Sequence, residues 1–153
     1  MHKIYYILLA VMLGCISCEW QFLSDNEGEV VVERYDRIQS LYLTTGDFSA
    51  LQQMNTAYPM QTRTLIEDVL RIGQVNDQQI NTKFLRFYQD TTLQALIAEA
   101  EQQYANMDDI NRELTSAFQY LRDNIPGLEA PEVYAQIGAL DQSVIVGNNV
   151  IGV

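Results

Sequence analysis

The side chains with the most reactive chemistry in this sequence are two thiols close to its N-terminus. Cys15 and Cys18 are its only cysteines, and its only histidine, His2, comes before them. The chain after Cys18 therefore has no imidazole and no thiol for general-base catalysis, nucleophilic catalysis or metal ligation. The closest pairs of carboxylates are Glu99/Glu101 and Asp108/Asp109. Both pairs fit solvated helix surfaces or a helix N-terminus, so we predict no enzyme activity, no catalytic residue, no metal site and no cofactor.

The residues before the two cysteines predict an export signal. Lys3 is followed by an apolar run of ten residues, Ile4 to Leu13. Such a run is too short to span a bilayer as a finished helix, and it is typical of the apolar part of a secretory signal. We therefore predict a signal over residues 1–18.

The same stretch predicts that one of the two thiols is acylated. Gly14 precedes Cys15 and Ser17 precedes Cys18, and a small residue before a cysteine resembles the cleavage site of a bacterial lipoprotein signal. Polarity begins directly at Glu19, which favours Cys18 as the lipidation site and leaves Cys15 as the alternative. Acyl chains such as palmitate on this cysteine would attach the protein to membrane lipid without inserting it.

Charge and composition exclude some classes of partner. Of the 153 residues, 135 follow Cys18, which suits one domain with a real core. The formal net charge is −11, so the chain repels phosphate backbones and nucleic acid is an unsuitable partner. No acidic cluster that would direct surface export follows Cys18, so we predict an outer-membrane anchor that faces the periplasm.

The chain after the signal divides into a tether and one mostly helical domain. Residues 24–29 are polar with no apolar period, and residues 19–29 are predicted to be a tether that Trp20, Phe22 and Leu23 interrupt. The domain is predicted over residues 30–153. Apolar residues recur at helical spacing from Asp47 to Asn124. Two of these stripes are predicted to face inward: Leu93, Leu96, Ile97, Ala100 and Tyr104, and then Ile110, Leu114, Phe118, Leu121 and Ile125.

After Pro126-Gly127 the pattern changes to that of short strands. Residues 133–137 alternate, residues 143–146 are mostly β-branched, and turn residues 147–149 precede a last apolar run at residues 150–153. The predicted fold class is thus α+β, with a mostly helical body followed by a short C-terminal antiparallel β-meander. The chain stops inside the predicted last strand, which predicts a truncated protein. The outer edge of that strand is predicted to bind an envelope protein by strand addition.

Several segments resemble the gliding-motility lipoprotein GldB family. They include Phe87 to Thr92, Met107 to Ile110, Ile125 to Tyr134 and Gln136 to Ser143, and the lipoprotein signal agrees. The resemblance implies a membrane-attached lipoprotein of the gliding and protein-secretion machinery, and we expect a non-enzymatic interaction module.

Two alternatives to the interaction module stay open at this stage. The resemblance also implies a distant likeness to zinc peptidases, so one alternative is the N-terminal fragment of a metallopeptidase-like enzyme whose active site lies beyond residue 153. No zinc ligand is assigned within this sequence. The other is a glycan-binding lipoprotein, which rests only on the tyrosine content.

Overall fold

The computed structural model describes residues 28–139 and 141–153 of the chain. Six α-helices and four short strands occur in this part. The helices are α1 Tyr35–Thr45, α2 Phe48–Ala57, α3 Pro59–Thr64, α4 Ile80–Phe87, α5 Thr91–Gln103 and α6 Asp108–Asn124. The strands are β1 Val32–Glu33, β2 Glu132–Tyr134, β3 Ile145–Val146 and β4 Val150–Gly152. Helix α3 continues into a π-helical turn, Leu65–Val69.

Local capping signals set most of the helix starts. The Asp47 carboxylate accepts a hydrogen bond from the amide of Ser49 at 2.8 Å, and Asp90 does the same for the first turn of α5. Pro59 occupies the first turn of α3, where its missing N–H costs nothing. Just before α4, the Asp77 carboxylate accepts a hydrogen bond from the Gln79 amide at 2.8 Å.

The four strands form one sheet in the order β1-β2-β4-β3. Strand β2 pairs parallel with β1 and with β4, while β3 pairs antiparallel with β4. The predicted α+β class with a helical body and a small sheet is confirmed, and the antiparallel arrangement holds for the β3–β4 hairpin. Each parallel pairing needs a crossover connection, which the helical body provides between β1 and β2 and the segment that contains β3 provides between β2 and β4.

The predicted open edge at the last strand is wrong. Strand β4 pairs with β2 on one side and with β3 on the other, so it lies inside the sheet. Strands β3 and β4 are joined by the predicted turn at residues 147–149, where the Gly147 amide donates to the Val150 carbonyl at 2.8 Å. The edges of the sheet are β1 and β3.

The two faces of the sheet carry separate apolar clusters. Tyr134 and Val150 pack on the core of the helical body, which includes Tyr35, Met54 and Phe84. Val32, Val133 and Ala135 pack on the other face, against Ile110, Leu114 and Phe118 of α6. Alternate residues of a strand point to opposite faces, so the short strands hold the helical body and α6 on opposite sides of the sheet.

No helix within residues 28–139 and 141–153 is long and apolar enough to cross a membrane. The predicted signal and nearly all of the tether lie outside the described residues. The proposed boundary between tether and domain stays a prediction.

Candidate interaction groove and sheet edge

An apolar groove lies between α5, the start of α6 and the end of β2. Its volume is about 560 Å³. Helix α5 and the start of α6 contribute most of the apolar side chains: Leu93, Leu96, Ile97, Ala100, Tyr104, Met107, Ile110 and Leu114. The chain from Ala135 to Ala139 forms the opposite wall, and Val32 of β1 also contacts the space.

The two helical stripes that were predicted to face inward are only partly covered. In α5 only Ile97 is buried, while Leu96 and Tyr104 are 43% and 42% exposed. Helix α6 has no fully buried residue at all. The whole α5 stripe lines the groove, but of the α6 stripe only Ile110 and Leu114 do. Phe118 packs on the sheet, and Leu121 and Ile125 are exposed outside the groove.

Two arginines from the start of α1 hold the C-terminal end of α5 beside the groove. Arg37 donates to the carbonyl of Tyr104 at 3.1 Å and to that of Glu101 at 3.4 Å. Arg34 contacts the carbonyl of Ala105 at 3.5 Å. Cations at a helix C-terminus satisfy its free carbonyls and interact favourably with its dipole, so these contacts position α5.

The opposite wall of the groove is held by a fully buried glutamine. The Gln39 side-chain amide donates to the Ile137 carbonyl at 2.6 Å and accepts from the Ile137 amide at 2.9 Å. The Tyr88 hydroxyl also donates to the Ile137 carbonyl. The side chain of Gln39 thus satisfies both backbone groups of Ile137, as a neighbouring strand would, and it fixes the chain that leaves β2.

Tyr88 of this network and the buried Tyr35 make the free energy of unfolding depend on pH in the alkaline range. Burial raises the pKa of the Tyr88 phenol, and burial also raises that of Tyr35. The folded protein keeps both protons above about pH 10, where an unfolded chain loses them. The stabilisation by the two protonated phenols is therefore fully present below about pH 10. Above that pH the free energy of unfolding falls by about 1.4 kcal/mol per pH unit for each phenol.

We expect Tyr88→Phe to reduce this alkaline slope. Phenylalanine has no proton to lose, so the contribution of Tyr88 disappears, although the variant is also less stable at neutral pH. Urea unfolding at a series of pH values, followed by circular dichroism, measures the slope. Tyr120→Phe is the matched control because Tyr120 is 69% exposed. If Tyr88→Phe loses stability with rising pH as steeply as wild type does, the Tyr88 phenol does not contribute to the alkaline pH dependence.

Polar groups are few in the groove, and they are acidic or neutral. Asp36 and Glu101 contribute carboxylates, and no lysine or arginine contributes to the described lining. Asp36 is paired with Arg34 at 2.7 Å, while Glu101 forms no ion pair with any described residue. The side-chain carbonyl oxygen of Gln136 is buried, and it accepts no hydrogen bond from the part of the chain that the structure describes.

One edge of the sheet is covered by side chains of α6. Asn111 Oδ1 accepts from the amide of Val32, and Thr115 Oγ1 accepts from the amide of Val30, both at 2.9 Å. Residues four apart on a helix lie on one face, as do residues two apart on a strand, so the two spacings match. The outward amides of β1 are satisfied without another strand.

The other edge, at β3, has no such cover among the described residues. The hydrogen bond between Gly147 and Val150 makes Val146 and Ile151 a non-hydrogen-bonded pair, so the backbone groups of Val146 point away from β4. The side chain of Val146 is 75% exposed and that of Val144 is 56% exposed. The β3 edge therefore presents unpaired backbone groups beside exposed apolar side chains.

The residues that the sequence suggested for chemistry are not brought together. Cys18 and the alternative Cys15 lie outside the described residues. Asp109 pairs with Arg112 on the surface of α6, and of the two glutamates only Glu101 contributes to the groove. No group of three or more metal-ligating side chains occurs among the described residues. The sequence did not predict the groove, because an apolar helical stripe has the same residue spacing whether it is fully or only partly buried.

Comparison with models of known protein families shows to which family this chain belongs. The family model described as gliding motility protein GldB matches residues 19–153. This chain belongs to the GldB family. The predicted resemblance is thereby confirmed, and the match makes the protein a member of a gliding-motility lipoprotein family. Searches of curated proteins and of solved structures gave no significant match.

Proposed function

We propose that this GldB-family protein is a non-enzymatic, lipid-anchored interaction module of the motility and secretion machinery of the cell envelope. Acyl chains on Cys18 hold it on the periplasmic side of the outer membrane. A protein partner of that machinery adds a strand to the sheet at β3. The observation that carries this proposal is the open β3 edge, because the other edge is already satisfied by α6.

Strand addition suits the chemistry of this edge. An added strand would donate to and accept from the outward backbone groups of Val146, and it would cover the exposed side chains of Val144 and Val146. The side chains of Asp141 and Gln142, which precede β3, are exposed and add no positive charge. Lysine is a common residue on protected edges, and none occurs here.

We expect Val146→Lys to abolish the contribution of the protein to gliding or secretion. The exposed lysine places a charge where the partner strand must pack, and it changes the stability by only about 0.5 kcal/mol because the site is on the surface. The variant is expressed in cells that lack the native gene. Colony spreading and the amount of secreted protein are then compared with those of cells expressing wild type.

Val31→Lys is the matched control for this experiment. Val31 is 52% exposed and lies beside β1, at the edge that α6 already covers. Cells with this variant should spread and secrete as wild type does, with equal protein in the membrane fraction. Normal spreading and secretion with Val146→Lys, at a normal protein level, would show that the β3 edge is not the binding site.

A further inference from the structure

We propose that the apolar side chains of the tether, Trp20, Phe22 and Leu23, dock on the C-terminal end of α6. The docking surface consists of Leu121 and Ile125, which are exposed there. The inference does not depend on strand addition at β3. It rests on the path of the chain along α6, on the exposed end of the α6 stripe, and on the size and charge of that end.

The described chain begins beside α6 and runs along it toward its N-terminal end. The guanidinium of Arg122 donates to the carbonyl of Gly28 at 2.9 Å. Two residues later the amide of Val30 donates to the hydroxyl of Thr115, about two turns nearer the start of α6. The tether therefore joins the domain at the C-terminal end of α6.

The apolar stripe of α6 extends past the part that the sheet covers. Ile110, Leu114 and Phe118 pack with the strands of the sheet. Leu121 and Ile125 follow Phe118 by three and seven residues, so they continue the same face of the helix. Their side chains are 37% and 47% exposed. Covering them would remove apolar surface from water, which provides the driving force for docking.

The tether is long enough to reach this surface. Leu23 comes five residues before Gly28, so an extended chain spans up to about 18 Å between them. Ile125 lies only about 4.5 Å beyond Arg122 along the helix axis. A segment attached so close has an effective concentration on the order of millimolar. A few apolar contacts are then enough to keep it docked.

The size and charge of the surface favour the tether over other occupants. Two half-exposed side chains offer far less than the roughly 800 Å² per partner that a specific interface buries. Asp123 and Glu129 are exposed beside them in the sequence, and the formal net charge of the chain is −11. An anionic lipid surface would therefore be repelled. An attached segment needs neither a large area nor a favourable charge.

Docking would also fix the position of the proposed lipid anchor. Trp20 comes two residues after Cys18, so the acylated cysteine would lie beside the end of α6. The tether would then act as a short stem that orients the domain on the membrane.

The fluorescence of Trp20 tests the proposal, because it is the only tryptophan in the chain. The protein is purified as cells produce it and placed with lipid nanodiscs. Its tryptophan is quenched by acrylamide from the water and, separately, by brominated acyl chains from the lipid. We expect wild type to emit at short wavelength and to be quenched weakly by both agents.

The double variant Leu121→Ser/Ile125→Ser removes the docking surface. Its emission should shift to longer wavelength, and acrylamide quenching should increase at least about twofold, because the side chains that cover the tryptophan are lost. Circular dichroism confirms that the variant folds.

Tyr120→Ser is the matched control. Tyr120 is 69% exposed, and it lies on another face of α6 from the stripe. This variant should emit and be quenched as wild type is. Val146→Lys should also leave the fluorescence unchanged, which separates this test from that of the β3 edge.

Either of two results would overturn the proposal. Equal acrylamide quenching of wild type and the double variant would show that Trp20 does not dock on Leu121 and Ile125. Strong quenching of wild type by the brominated acyl chains would show that lipid surrounds the tryptophan instead of α6.

Discussion

Replacing Gln39 by methionine lowers the free energy of unfolding by about 3 kcal/mol in our expectation. Methionine matches the size of glutamine but leaves the partly buried Ile137 amide without an acceptor, and it removes one donor from the Ile137 carbonyl. A domain of this size is stable by about 5–15 kcal/mol, so the loss is large. Urea unfolding followed by circular dichroism measures it.

An exposed glutamine provides the control for this substitution. Gln53 lies on the solvent side of α2, and Gln53→Met should change the free energy of unfolding by no more than about 0.5 kcal/mol. A loss in stability no greater than that of Gln53→Met would show that the contacts with Ile137 contribute little.

The second large effect is expected at the anchor, which lies outside the described residues. Cys18→Ala should reduce labelling by radioactive palmitate to background and move most of the protein from the membrane to the soluble fraction. Each buried methylene of an acyl chain contributes about 0.8 kcal/mol, so several chains on one cysteine dominate attachment.

Cys15→Ala separates the two possible anchors. It should remain labelled and membrane-bound if Cys18 is the acylated residue. Loss of labelling in Cys15→Ala alone would assign lipidation to Cys15. Normal labelling and fractionation of both variants would reject the lipoprotein anchor at either cysteine.

The sequence by itself determined the features that depend on neighbouring residues. The starts of α2 and α5 depend on the caps Asp47 and Asp90, and that of α3 depends on Pro59, because capping and ring geometry act within one helical turn. The turn after Gly147 was predictable for the same reason. The GldB-family resemblance also came from local segments, and the family match over residues 19–153 confirmed it.

Only the tertiary structure decided which strand lies at the edge of the sheet. The pattern of residues 150–153 indicated a strand, and it carried no information about a second neighbour. Strand β2 supplies that neighbour, and β1 joins β2 from about 100 residues earlier in the chain. Strand periodicity reports which residues alternate between faces, whereas partner choice depends on contacts that are distant in sequence.

The same distinction explains why the groove was missed. Helical spacing identified the apolar stripes of α5 and α6, but it could not tell a stripe that is sealed in a core from one that borders an open space. Arg37 holds the end of α5, and Gln39 holds Ile137 from 98 residues away. These long-range hydrogen bonds set the separation of the walls, so the groove is a property of the tertiary structure alone.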